Sequence, residues 1–213
     1  MKTLIYRLMA LLALAGTIGF GTAPAQAHPH VWITSSSELI YAADGSITGV
    51  RNAWTFDDMF STYALQGIEA KTKGEYSREQ LAPLAKDNVE NLKEFGFFTF
   101  AKADGKKLKF EEPVDYFLEY KDSALTLHFT LPLKQPIKPK QLALDIFDPA
   151  FFIDFKFEEK DPIKLVGAPA SCQLKVQRPG EADVKKLTEE MVASGDNSNY
   201  GAMYANKIFV NCP

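Results

Sequence analysis

The sequence predicts an α+β protein that is mainly antiparallel β. It is sandwich-like or two-sheet, with one inserted amphipathic helix and a short C-terminal helix. Three observations carry that expectation. Runs of β-prone residues recur along the chain, several alternating apolar with polar. Turn dipeptides such as Asp44-Gly45 and Asp104-Gly105 stand between consecutive runs, as in hairpins. One substantial segment, placed after the second run, carries apolar residues at helical spacing, and such a mixture of strands with few helices is the α+β pattern.

The first segment is of another kind. Lys2 and Arg7 make a positive start, Leu8 to Phe20 is an apolar run broken only by Gly and Thr, and Ala25-Gln26-Ala27 has the small-x-small form that signal peptidase reads. A bilayer-spanning helix needs about 20 apolar residues, more than this run supplies. Residues 1–27 are therefore expected to be a signal peptide cleaved after Ala27, leaving a single periplasmic domain over residues 28–213. No cysteine lies near the cleavage point, so no lipid anchor is expected. The formal net charge is −3, and it becomes more acidic once Lys2 and Arg7 leave with the leader. With no run of five basic residues, nucleic acid is not an expected partner.

The elements follow in order. In "VWITSSSELIYAADGSITGVRNAWTF" two β-prone runs flank Asp44-Gly45 and predict a hairpin. "DDMFSTYALQGIEA" mixes helical spacing with no clear cap. In "SREQLAPLAKDNVENLKEFGF", Ser77 and Gln80 form a capping-box pattern. Leu81, Leu84, Ala85, Val89 and Leu92 recur at helical spacing, with Gly96 just past the end. Pro83 falls in the first turns and allows a helix that begins there instead. "FFTFAKADGKKLKF" predicts a hairpin at Asp104-Gly105, and "VDYFLEYKDSALTLHFTLPL" another at Lys121-Asp122-Ser123. In the second strand of that pair Leu125, Leu127, Phe129 and Leu131 alternate with Thr126, His128 and Thr130, so one face is buried. "LPLKQPIKPK", with Pro132, Pro136 and Pro139, reads as a stiff connector. Strands are expected on either side of Asp148-Pro149, then at "SCQLKVQ" and "NKIFVNC", with a short amphipathic helix at "EADVKKLTEEMVAS".

Cys172 and Cys212 are the only cysteines. An even count in an oxidising compartment predicts a disulfide. Closing a loop of that length contributes about 3–4 kcal/mol in chain-entropy models. A thiolate metal pair would need both thiols reduced outside the cytoplasm.

Three motifs also carry a family resemblance: "HPHVWI" directly after the leader, "WTFDDMFS" at 54–61 and "DIFDPAFFIDF" at 145–155. Together, in this order, they resemble the DUF1007 family, exported proteins described as periplasmic components of ABC-type transport systems. The resemblance covers essentially all of the chain after the leader. It implies metal handling at the cell envelope, beside permeases of the nickel/cobalt type.

The residues supply their own argument for metal. Cleavage after Ala27 would leave a chain beginning His28-Pro29-His30. His28 then offers an α-amine and an imidazole that can chelate one ion, and His30 adds a second ring. Nitrogen donors suit Cu, Ni, Co and Zn. The square-planar motif that deprotonates two backbone amides is blocked, because Pro29 has no N–H. His128 is the third histidine; it completes a three-histidine shell only if the first strand pairs near it. Asp57 and Asp58 are either carboxylate ligands or caps of the next helix. Asp148 before Pro149 reads as a turn former. Asp145 and Asp154 lie in otherwise apolar strands and need partners, for which a metal or Arg51 is available. The aromatics Phe147, Phe151, Phe152, Phe155 and Phe157 read as core.

No hydrolase signature or phosphate-cradling loop occurs in the sequence, so an enzyme is not the expectation. The favoured reading is an accessory protein that captures or presents a divalent transition metal to a membrane metal permease or ABC-type system. The alternatives are a mononuclear copper oxidoreductase built on the N-terminal histidine chelate, and a metal-free interaction module.

Overall fold

The computed structural model describes residues 29–70, 72, 74–180 and 199–213. His28 and the segment expected to form the C-terminal helix, 181–194, lie outside the described residues. Among the described residues no helix is long and apolar enough to cross a membrane.

Two sheets share one core. The first hairpin is β1 (Val31–Tyr41) and β2 (Ile47–Phe56), paired antiparallel from Ile33↔Phe56 to Tyr41↔Ile47. Its turn forms as the dipeptide requires. Gly45 adopts φ +82°, and Asp44 Oδ1 accepts from the Ser46 N–H and hydroxyl. Two helices follow, α1 (Asp58–Ala64) and α2 (Arg78–Leu92). The capping box of α2 is complete: Ser77 Oγ accepts from the Gln80 N–H, and Gln80 Oε1 accepts from the Ser77 N–H. That cap starts the helix at Arg78, ahead of Pro83, which is carried inside it. The helix buries Leu81, Ala85 and Val89. A 3₁₀ segment, Lys93–Phe98, then turns the chain through left-handed Gly96 (φ 60°).

The remaining strands are β3 (Thr99–Ala103), β4 (Lys106–Lys107), β5 (Val114–Lys121), β6 (Ala124–Ile137), β7 (Gln141–Ile146), β8 (Ile153–Phe157), β9 (Ile163–Val166), β10 (Gln173–Gln177) and β11 (Asn206–Asn211). The first sheet runs β5-β6-β2-β1-β8, with β9 also on β1; the second runs β10-β11-β7-β3-β4. Most pairings are antiparallel. The exceptions are β8 and β9, which lie one after the other in parallel along the same edge of β1.

The connector expected at "LPLKQPIKPK" is a correction: β6 continues through Pro132 to Ile137. It can do so because the pairing with β2 shifts register between Ile47 and Gly49, opposite Pro132. Gly49 is required there, since a Cβ would stand 2.6 Å from the Leu131 carbonyl oxygen.

The inward faces of both sheets enter one hydrophobic cluster. Trp54 lies at its centre, edge-on to Phe129 and Phe155 at 4.7 and 4.8 Å between ring centroids. The sheets are also tied by the Asn206 side-chain amide, which donates to the Phe155 carbonyl at 2.6 Å. Of the aromatics read as core, Phe151, Phe155 and Phe157 are buried. Phe152 is not: it is 48% exposed, because the loop before β8 turns its ring outward toward His30. Arg51 does not serve Asp145 or Asp154; it pairs with Glu38 across the hairpin at 2.6 Å. Asp154 has Lys156 at 3.6 Å. Burial pushes the Asp145 carboxyl up, partly countered by Lys207 and Lys102.

Cys172 and Cys212 are joined by a disulfide beside β10 and β11. Mass spectrometry of non-reduced, alkylated protein isolated from an oxidising compartment should find neither thiol modified. Two alkylated cysteines there would contradict the bond.

Candidate metal centre

The outward row of the first sheet begins where the described chain begins. Along β1 the odd-numbered residues are buried and the even-numbered ones face out, so His30 and Trp32 start the exposed row. His30 is fixed by its backbone: its N–H donates to the Phe152 carbonyl at 2.8 Å, and the Val31 N–H reaches the same oxygen at 3.3 Å. Its ring lies 4.7 Å from that of Phe152.

Phe152 is held in turn by Asp148. One carboxylate oxygen accepts from the Ala150 N–H at 2.9 Å, and the other from the N–H groups of Phe152 and Ile153 at 2.9 and 3.0 Å. Phe151 adopts φ 57°, a left-handed conformation that the surrounding hydrogen bonds must hold. Asp148, read as a turn former, is buried and organises the whole 148–153 loop. Behind it the Gly201 N–H donates to the Pro149 carbonyl at 2.8 Å. The Phe151 ring stacks on Tyr204 at 3.9 Å. The hydrogen bond with Tyr200, then burial and the charges of Tyr200 and Asp154, push the Tyr204 phenol up to about 12.

Trp32 stands between two carboxylates. Asp154 is its partner across β8. On the other side Asp57 donates its N–H to the Trp32 carbonyl at 3.0 Å and accepts the Trp32 N–H on Oδ2 at 2.9 Å. Oδ1 of Asp57 accepts the Phe60 N–H at 2.9 Å and caps α1. Asp57 therefore works as a helix cap and a clamp on β1, with each oxygen engaged by a backbone donor. Asp58 is exposed in the first turn of α1.

His128 is elsewhere. It lies opposite Ala53, which lies opposite Ser36. Six residues of β1 separate Ser36 from His30, about 20 Å at ~3.3 Å per residue. The register thus keeps His128 out of any shell that includes His30. It has its own surroundings, stacked on Phe117 at 4.5 Å with the Arg78 guanidinium 3.7 Å from the Phe117 centroid. Glu119 Oε2 is 3.6 Å from Nε2, too far for a hydrogen bond. Burial lowers the His128 pKa, Glu119 opposes that shift and Arg78 adds to it. The folded state thus disfavours the imidazolium relative to the unfolded chain, whose histidine titrates near ~6.5. The stability this contributes is present above that value and is lost as pH falls through the lower folded pKa. Wild type should accordingly lose more stability between pH 7 and 5 than His128→Gln, as read by urea midpoints. Identical pH profiles would refute the assignment.

Among the described residues no three His, Cys, Asp or Glu side chains group closely enough to hold a metal ion. Among the described residues His30 is the one imidazole at this end of the sheet. Sequence reasoning missed Phe152 as the clamp on β1 and Asp154 beside Trp32. Two signals were available, an Asp-Pro directly before the aromatic pair and the alternation within "FFIDF".

The fold and this end of the sheet define a two-sheet, mainly antiparallel β protein whose first strand is locked at its start by a distant loop. The chain belongs to the DUF1007 family, described as "protein of unknown function", whose model matches residues 12–212. It is 25% identical to an uncharacterised protein of Haemophilus influenzae over 209 residues, covering 94% of this chain and 97% of that one. It is 30% identical over 93 residues to an uncharacterised 15.5 kDa protein encoded 3′ of trpE in Spirochaeta aurantia, covering 43% of this chain and 66% of that one. A superposition on an acetylcholine-binding protein of Biomphalaria glabrata covers 97% of this chain and 96% of the other, at 8% identity. Its TM-score is 0.36, too low to support an argument.

Proposed function

We propose that this is an exported accessory protein that captures a divalent transition metal at its processed N-terminus and presents it to a membrane permease. One observation supports this reading above the rest. His30 is held at the outward edge of the first sheet by its backbone bond to Phe152, so a start at His28 places the amine and the second ring within two residues of a fixed point. The donor set suits the ion: an amine, two imidazoles and no thiolate fit Ni, Co, Cu or Zn. His28 would chelate through amine and ring, and His30 would add its ring. Asp57, engaged by two backbone donors, is left out of the shell, and so is His128. When bound, the ion would be cargo.

The test is the N-terminus itself. One extra Gly before His28 turns the amine into an amide while both rings remain. Cu(II) or Ni(II) affinity should fall at least ~10–100-fold, the range that even weaker changes around metal ligands produce. Affinity should also fall steeply from about pH 7 to 5, because imidazole and amine must lose protons to bind. Equal affinity of the two forms would remove the amine from the site. Silent His28→Ala and His30→Ala substitutions would end the metal reading altogether.

A further inference from the structure

The outward face of the second sheet is rich in lysine. Register fixes what it carries. One row across the strands reads Lys107, Lys102, Ala143, Phe209, Lys175; the next reads Phe100, Asp145, Lys207, Gln177. Lys109 follows Lys107 by two residues and lines the same cleft as Phe100 and Lys102. Among the described residues, five lysines of these rows thus face one carboxylate, in a chain whose formal net charge is −3. The outward face of the first sheet is more mixed by comparison, with Glu38, Glu119 and Asp154 beside Arg51, Lys121, Lys156 and Lys164.

The spacing says what such a face fits. At ~4.8 Å between strands, Lys107 and Lys175 stand about 19 Å apart. No single phosphate or carboxylate can reach more than a small part of that array. The ammoniums are spread in two dimensions rather than along a line, which suits a plane of anions better than a linear polymer. They are lysines rather than arginines, point charges without the fork that reads one carboxylate. Between them lie Phe100, 37% exposed, and Phe209. Shallow clefts of about 350 and about 500 Å³ flank Lys102, the first setting Phe100 beside Lys107 and Lys109, the second Phe209 beside Lys175. Each offers a ring for the glycerol edge of a lipid and an ammonium for its phosphate.

We infer that this face adsorbs to an anionic lipid bilayer through its lysines and phenylalanines. Adsorption would hold the protein at a membrane without a spanning helix, and it does not depend on metal.

Sedimentation with vesicles tests it. The chain from His28 to Pro213 should bind vesicles of 30% phosphatidylglycerol in phosphatidylcholine and leave pure phosphatidylcholine vesicles in solution. Salt at 0.5 M should release it. Each lysine near an anionic surface contributes roughly fivefold to partitioning. The variant Lys102→Gln/Lys175→Gln/Lys207→Gln should therefore bind about 100-fold less. A matched variant elsewhere, Lys86→Gln/Lys156→Gln/Lys164→Gln, should keep most of its binding. Equal loss in both variants, equal binding to neutral vesicles, or binding to polyglutamate but not to vesicles would each overturn the inference. If the triple variant proves unstable, Lys102→Gln alone should still bind several-fold less, and its unchanged binding would count equally against the idea.

Discussion

Replacing Asp148 by alanine should cost about 2–4 kcal/mol of stability. The carboxylate accepts three backbone N–H groups, from Ala150, Phe152 and Ile153, and lies buried behind the loop it shapes. Each donor left without an acceptor costs ~1–3 kcal/mol, reduced where water can reach it. In a domain of this size that corresponds to a melting temperature lower by roughly 6–12 °C. Asp148→Asn, with one acceptor oxygen instead of two, should fall between. A further readout distinguishes loss of the loop from general weakening. The Phe152 carbonyl holds the His30 and Val31 amides, so hydrogen exchange at those two positions should accelerate beyond the global change. If Asp148→Ala melted with the wild type, the carboxylate would not organise the loop.

Gly201→Ala should be as damaging, for a steric reason. A Cβ at this position would overlap the Asp148 carbonyl oxygen and stand 3.2 Å from the Phe151 nitrogen. Both neighbours are backbone, so no side-chain rotation relieves the clash. Either the 3₁₀ turn Tyr200–Tyr204 moves off the loop, or the loop opens. Moving the turn breaks the Gly201–Pro149 hydrogen bond and the Phe151–Tyr204 stack. We expect a loss of about 2–4 kcal/mol, at the upper end of what single substitutions produce. Because Asp148 and Gly201 act on one loop, the double variant should lose less than the sum of the two. A Gly201→Ala protein as stable as wild type would show that the turn and the loop are not in close contact.

Much of the fold was legible because its signals are local. Asp44-Gly45, Ser77 with Gln80, and the alternation from Leu125 to Leu131 each specify their structure within a few residues, and the described elements follow them. The stretch at Pro132–Pro136 was misread because its tolerance depends on Gly49 and a register shift in another strand. The candidate site was legible only in part. His30 stands out by residue type, and capping was one of the two roles weighed for Asp57 from its place before a helix. Asp148, Phe152 and Gly201 act through backbone contacts between segments far apart in sequence. No periodicity records such contacts. His128 illustrates the same limit in reverse: its residue type invited a place in the shell, and strand register assigned it another.

The position of β1 bears on how the protein is made. Among the described strands β1 comes first in the sequence, yet one of its two edges is completed by β8 and β9, with the Ser35 hydroxyl donating to a carbonyl 121 positions later. The first sheet therefore stays open while about half the chain is still to come, and its exposed edge must wait. Pairings so distant carry a large loop-closure cost before they return any stability, which slows folding. A truncated chain ending before Ile153 should remain unfolded rather than form a smaller stable unit. Chain length at the ribosome, more than local propensity, then decides when this protein acquires its structure.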